Sequence, residues 1–185
     1  MPNGGLIADV TWGRGVFWKK IQNGQPNIFN GATYTIIGSD IEQRADVRAD
    51  FRCLPYRDEM FDAVVLDPPW ANLSTGARTH RMTDLYQLKP TCLEELNNLY
   101  FEGIREAKRI LRLSGILIVK VQDNVSSGKK LWITDSVYHV GVSLGFHPMD
   151  RMIQVAATEP LMPWQVKQQR HFRARESFYW VMRKQ

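Results

Sequence analysis

Short apolar runs alternate with longer stretches of helical spacing from one end of the chain to the other, which is the pattern of a parallel sheet covered by helices. Residues 6–10 form the first apolar run and meet Gly13 and Gly15 at once, as a strand that turns into a loop would. Residues 34–37 read as a second strand leading to Gly38, Ser39 and Asp40, residues 47–49 as a weaker third, and residues 63–66 as a fourth. The uniform apolarity of 63–66 predicts burial on both faces. Between 93 and 113, apolar residues recur at helical spacing with charges opposite, and Ser114-Gly115 is expected to close the helix. A fifth strand follows over 115–121, then an amphipathic helix over 131–144 ended by Gly145. The alternation in 149–155 and 177–182 predicts two last strands, paired as an antiparallel edge. The expected class is therefore α/β: a mostly parallel seven-stranded sheet with an antiparallel edge and helices on both faces.

Composition narrows this picture only modestly. A chain of 185 residues fits a single domain spanning 1–185. Its longest apolar runs are far shorter than the ~20 residues of a membrane-spanning helix. Cys53 and Cys92 show neither disulfide nor metal spacing, and a reducing cytoplasm is the expected compartment. His80, His139, His147 and His171 have no ligand spacing either, so no metal is expected. The net charge of +5 suits an anionic partner. Part of it is concentrated in the proline-containing segment 156–176, where Lys167, Arg170, Arg173 and Arg175 are interleaved with Trp164 and Phe172. That mixture suits phosphate contact and base stacking, although a solvated charged loop has the same composition.

The chemistry gathers at the strand ends. Asp9, Thr11, Gly13 and Gly15 place an acid and two glycines where the first strand turns, so backbone can approach a ligand closely. Plain turn chemistry produces the same glycines. The second strand, however, also ends in an acid, Asp40, which can accept hydrogen bonds from ribose hydroxyls, and Asp50 follows the third. Three acids at three strand ends share the carboxyl edge of the sheet, where open α/β sheets bind ligands. This much suits a nicotinamide enzyme as well as an adenosyl-cofactor enzyme. The glycine turn lacks the third glycine of the dinucleotide fingerprint, which weakens the first.

The fourth strand separates them, because it runs directly into Asp67-Pro68-Pro69-Trp70. An exocyclic amine on a base is a poor nucleophile, since its lone pair is delocalised into the ring. The Asp67 carboxylate and the Pro68 carbonyl are two acceptors for its two N–H groups, favouring a pyramidal nitrogen with its lone pair aimed at a methyl donor. Trp70 is placed to stack on the base. A rigid loop carrying a packed tryptophan is the bland alternative.

With these residues the sequence resembles the class I S-adenosylmethionine-dependent amino-methyltransferases of DNA, whose signatures are Phe-x-Gly-x-Gly and Asp-Pro-Pro-Tyr/Phe/Trp. The resemblance runs over residues 6–121 and implies the Rossmann-like fold of that family. It implies cofactor contacts from Asp9, Thr11, Gly13 and Gly15, ribose contacts from Asp40, adenine-ring contacts from Asp50 and Phe51, and catalysis at Asp67, Pro68, Pro69 and Trp70. An Asp at the head of the tetrapeptide leans toward adenine N6, and a Ser toward cytosine N4. Three departures stand out: Thr11 replaces the first phenylalanine of the signature, with Trp12 beside it; the chain begins almost at the first strand; and no separate target-recognition domain is expected. Specificity is then low or supplied by a partner, and a partner serving for specificity or as a lid is expected.

The expected substrate is nucleic acid, with DNA favoured over RNA. It would be gripped by 73–89, which carries Arg78, His80 and Arg81, together with 156–176. An RNA base methyltransferase is the nearest alternative. A catalytically dead nucleic-acid-binding module is another, but the tetrapeptide and the cofactor acids are intact.

Overall fold

The computed structural model describes residues 5–19, 33–41, 44–68, 92–126, 129–156 and 176–185. Five parallel strands build the first part of a seven-stranded sheet: β1 (Gly5–Asp9), β2 (Tyr34–Asp40), β3 (Val47–Arg48), β4 (Phe61–Leu66) and β5 (Leu111–Val121). A small hairpin, β6 (Asn124–Ser126) with β7 (Lys129–Leu131), leads into helix α2 (Ile133–Ser143) and then β8 (Phe146–Val155) and β9 (Glu176–Lys184). The sheet order is β3-β2-β1-β4-β5-β9-β8. β9 pairs antiparallel with both β5 and β8. The two last strands therefore pair as expected, but the reversed strand is β9, one in from the edge, and the edge strand β8 runs with the first five.

Helix α1 (Leu93–Ile110) joins β4 to β5. Leu96, Leu99, Tyr100, Gly103, Ile104, Ala107 and Ile110 form its buried stripe. Glu94 and Glu95 in the first turn and Lys108 and Arg109 in the last complement its dipole. The helix ends three residues before its predicted limit because Leu111 is already extended and begins pairing with Phe61. Ser114 takes φ 62° within β5, where its register with β4 shifts. Gly115 lies too close to the Arg112 and Asp62 carbonyls to accept a side chain without movement.

Helices α1 and α2 touch each other and both touch β5, so they share one face of the sheet. Leu117, Val119 and Val121 of β5 are fully buried on that face, whereas Ile116, Ile118 and Lys120 alternate with them and are half-buried. Met182 of β9, opposite Leu117, lies against Gly141 of α2. Below the sheet, Arg109 donates to the carbonyls of Leu54 and Tyr56 and pairs with Asp58 and Glu106, fixing the approach to β4 against α1. Among the described residues, no helix is long and apolar enough to cross a membrane.

Candidate active site

The turn after β1 is organised by a carboxylate inside it. Asp9 is fully buried; its two oxygens accept from the Thr11 backbone N–H at 3.1 Å and from the Trp18 indole Nε1 at 2.7 Å. Burial pushes the Asp9 carboxyl up to about 6, against the lowering effect of those two donors. Gly13 and Gly15 take φ 52° and 62°, the left-handed region that glycine enters without steric cost. A Cβ on Gly15 would stand 2.8 Å from the Trp12 ring, and one on Gly38 of β2 would overlap the same ring. Trp12 therefore packs against Gly15 and Gly38, where only hydrogen leaves room for its ring.

Asp40, at the end of β2, accepts from the Gly13 backbone N–H at 2.7 Å and is 8% exposed. The acid expected to bind ribose is thus joined to the glycine turn. Thr11, which departs from the resembled signature, has a role of its own: its hydroxyl accepts from the Asp67 backbone N–H at 2.7 Å. The glycine turn and the head of the Asp-Pro-Pro-Trp segment are hydrogen-bonded to each other.

Asp67 follows β4 and sits on the sheet face opposite α1 and α2, as its alternation with Val65 and Ala63 requires. Its carboxylate meets the Lys120 ammonium at 2.8 Å, with the two side chains 19% and 21% exposed. Burial raises the Asp67 carboxyl above the ordinary range, and the Lys120 charge and hydrogen bond pull it back. Lys120 Nζ also lies 5.2 Å from the centroid of the Phe17 ring, and Phe17 meets Tyr179 edge-on at 6.2 Å. Tyr179 is the cross-strand partner of Lys120 in β9. On the other side, the buried Tyr100 hydroxyl donates to the Lys120 carbonyl at 3.3 Å.

The remaining expected residues divide in two. Asp50 holds the Arg52 guanidinium with both oxygens, the shortest contact being 2.6 Å. Partial burial pushes the Asp50 carboxyl upward, but the Arg52 hydrogen bonds and charge outweigh it and hold the group below its ordinary range. Phe51 is 4% exposed and packs on Gly103 of α1 as part of the core. Pro68 is buried directly after Asp67. Pro69, Trp70, Arg78, Arg81, Lys167, Arg170, Arg173 and Arg175 lie outside the described residues.

Two features of the site were not anticipated. One is Lys120, the single cation in the otherwise apolar run 116–121 of β5, which was a legible signal. The other is the β6–β7 hairpin at the carboxyl edge, where Trp132 is 61% exposed and Lys130 lies 5.5 Å from its ring centroid.

The same architecture occurs among solved structures. A SAM-dependent methyltransferase from Methanosarcina mazei matches over 100% of this chain and 94% of its own, at 12% identity and a TM-score of 0.54. The fold is that of the S-adenosylmethionine-dependent methyltransferases. TrmN from Thermus thermophilus matches over 99% of this chain and 45% of its own, at 14% identity and a TM-score of 0.55. The PvuII DNA methyltransferase, described as cytosine-N4-specific, matches over 71% and 45%, at 13% identity and a TM-score of 0.52. This chain spans 47% of a proposed DNA modification methylase, also from Thermus thermophilus, at 18% identity and a TM-score of 0.47. No family model matches the sequence, and no curated protein does.

Proposed function

We propose that this chain transfers a methyl group from S-adenosylmethionine to the exocyclic amine of a nucleic-acid base, with adenine N6 in DNA as the target. The observation that carries this reading is the hydrogen bond from the Asp67 backbone N–H to Thr11, because it ties the cofactor turn to the residue that receives the amine. Methyl transfer needs those two places to be adjacent and fixed.

The residues fit such a cofactor. Gly13 and Gly15 let the backbone turn tightly, Asp9 holds the turn from inside, and Asp40 stands at the end of the neighbouring strand to receive ribose hydroxyls. Asp50 and Phe51 bound the adenine side through the chain they fix rather than through a free ring face. Bound there, the cofactor supplies an electrophilic methyl group on a sulfonium. Asp67 and the Pro68 carbonyl accept the two amine N–H groups, and Trp70 stacks on the base. As the nitrogen forms its bond to carbon and the carbon–sulfur bond breaks toward sulfur, the surplus amine proton passes through Asp67 to water. Arg78, Arg81, Lys167, Arg170, Arg173 and Arg175 hold the phosphates.

The test is to incubate the protein with isotopically labelled S-adenosylmethionine and single-stranded DNA, duplex DNA or RNA, and to analyse the nucleosides by mass spectrometry. The expected product is labelled N6-methyladenosine in its deoxy form. Labelled N4-methylcytosine would correct the base, a product confined to RNA would correct the polymer, and no labelled nucleoside with retained cofactor binding would point to a binding module.

A further inference from the structure

Lys120 is the described cation nearest the reacting position, and its head is held from two sides. Asp67 receives it at 2.8 Å on one carboxylate oxygen, Oδ2, and the face of Phe17 lies 5.2 Å from it. Its backbone is fixed as well, through pairing with Tyr179 in β9 and through the Tyr100 hydroxyl on its carbonyl. A four-carbon side chain on a half-buried strand has many rotamers, yet this one is confined to a single carboxylate oxygen.

We propose that Lys120 is a positioning residue for methyl transfer: it occupies Oδ2 of Asp67, fixes the carboxylate plane, and leaves Oδ1 to accept from the target amine. This rests on the reading of Asp67 given above and adds a residue to it. With Oδ2 committed, the carboxylate cannot rotate to place both oxygens on the base, and the geometry at the nitrogen is set by the protein. The ammonium also keeps the half-buried acid in the charged form that can take up the amine proton.

The groups that face Asp67 from each neighbouring element make the charge argument specific. Asp9 on β1, Tyr100 on α1 and Tyr179 on β9 are all coupled to its negative charge, and each is pushed upward by it in addition to burial. Lys120 on β5 is the group that pulls Asp67 toward ionisation. Without it, Asp67 is left with burial, which favours its protonated form.

The experiment follows the Asp67 side-chain carboxyl by carbon-13 NMR, with Asp67→Asn for assignment, in unaltered protein and in Lys120→Gln and Lys120→Arg, alongside the pH profile of kcat. Lys120→Gln is expected to raise the Asp67 titration midpoint by about 1–3 pH units and to move the acidic limb of kcat by the same amount. At the alkaline end the share of the deficit due to protonated Asp67 is recovered, and the share due to the freed carboxylate plane remains. Lys120→Arg keeps both close to wild type, and S-adenosylmethionine affinity is unchanged within about threefold in all three proteins. An unmoved Asp67 midpoint, or wild-type kcat in Lys120→Gln across the whole pH range, overturns the proposal. If Lys120→Gln does not fold, the unaltered protein decides: the Lys120 Cε resonance must step at the pH at which Asp67 titrates, and no step overturns the pairing. Wild-type turnover in Asp67→Asn is a separate outcome, which removes Asp67 from the chemistry and with it the reading on which this inference rests.

Discussion

Asp9, Asp40 and Asp67 end three neighbouring strands, but their surroundings assign them different work. Asp67 is coupled to a cation and faces the proposed target, so Asp67→Ala is expected to lower kcat by two to three orders of magnitude, on the scale of about 2.7–4 kcal/mol for a lost transition-state hydrogen bond. Calorimetry should find cofactor affinity nearly intact in that variant. Asp40→Ala should do the reverse, weakening the cofactor first, since Asp40 holds the glycine turn through Gly13. Asp9 works on stability. Its carboxyl is raised by burial from 3.8 to about 6, so on raising the pH the unfolded chain loses this proton first and the folded chain holds it longer. Stability from Asp9 is therefore present below about pH 4 and declines as pH rises toward 6, by on the order of 3 kcal/mol. Urea unfolding at pH 4 and pH 7 should show wild type losing that much more than Asp9→Asn across the interval; parallel losses would remove Asp9 as the source. The acids were legible because strand ends are. Lys120 was visible as an oddity, but its partner was not, because the pairing of Lys120 with Asp67 depends on the β4–β5 register.

Elements were easiest to read where one face is buried and the other wet, as in α1, and hardest where pairing decides the boundary. The start of β5 at Leu111 was missed because it comes from pairing with Phe61, beyond any local signal. The strands of the β6–β7 hairpin are three residues each, of mixed polarity, and give no period to detect. The insertion of β9 between β5 and β8 is a long-range choice that alternation within either strand leaves open. Where elements meet, the packing can be tested. A Cβ on Gly103 of α1 would stand 2.9 Å from the Phe51 ring and 3.2 Å from Leu66, the residue before Asp67. Gly103→Ala should gain up to about 1 kcal/mol of helix propensity and lose about 1–3 kcal/mol to overpacking, for a net destabilisation. The denaturant midpoint should fall, and kcat with it, because β4 carries any displacement directly to Asp67. A raised midpoint would mean that Phe51 can move aside.

Across the whole molecule, cations stand at both ends of the sheet, and their partners distinguish the ends. At the amino end, Arg109 is paired with Asp58 and Glu106, Lys184 reaches Glu59 and the Leu111 carbonyl, and Lys108 reaches the Leu144 carbonyl. These charges are largely answered within the chain. At the carboxyl end lie Asp67 and the hairpin with Lys129 and Lys130, and the segments bearing Arg78 and Arg81, or Arg170 and Arg173, belong to the proposed phosphate path. Nucleic-acid affinity should therefore depend on salt through the carboxyl end alone. Replacing Arg78 and Arg81, or Arg170 and Arg173, by Ala should weaken binding similarly for all sequences and flatten the plot of log affinity against log salt by about 0.7–0.9 for each phosphate that is no longer neutralised. Arg105→Ala, at the amino end of the sheet, serves as the control and should leave the slope unchanged. Binding measured by fluorescence anisotropy on single-stranded and duplex DNA over a salt series gives the slopes directly. If the control flattens the slope and neither double variant does, the polyanion lies at the amino end, away from Asp67, and the proposed phosphate path is wrong. If no variant changes it, the net charge of +5 serves solubility rather than binding.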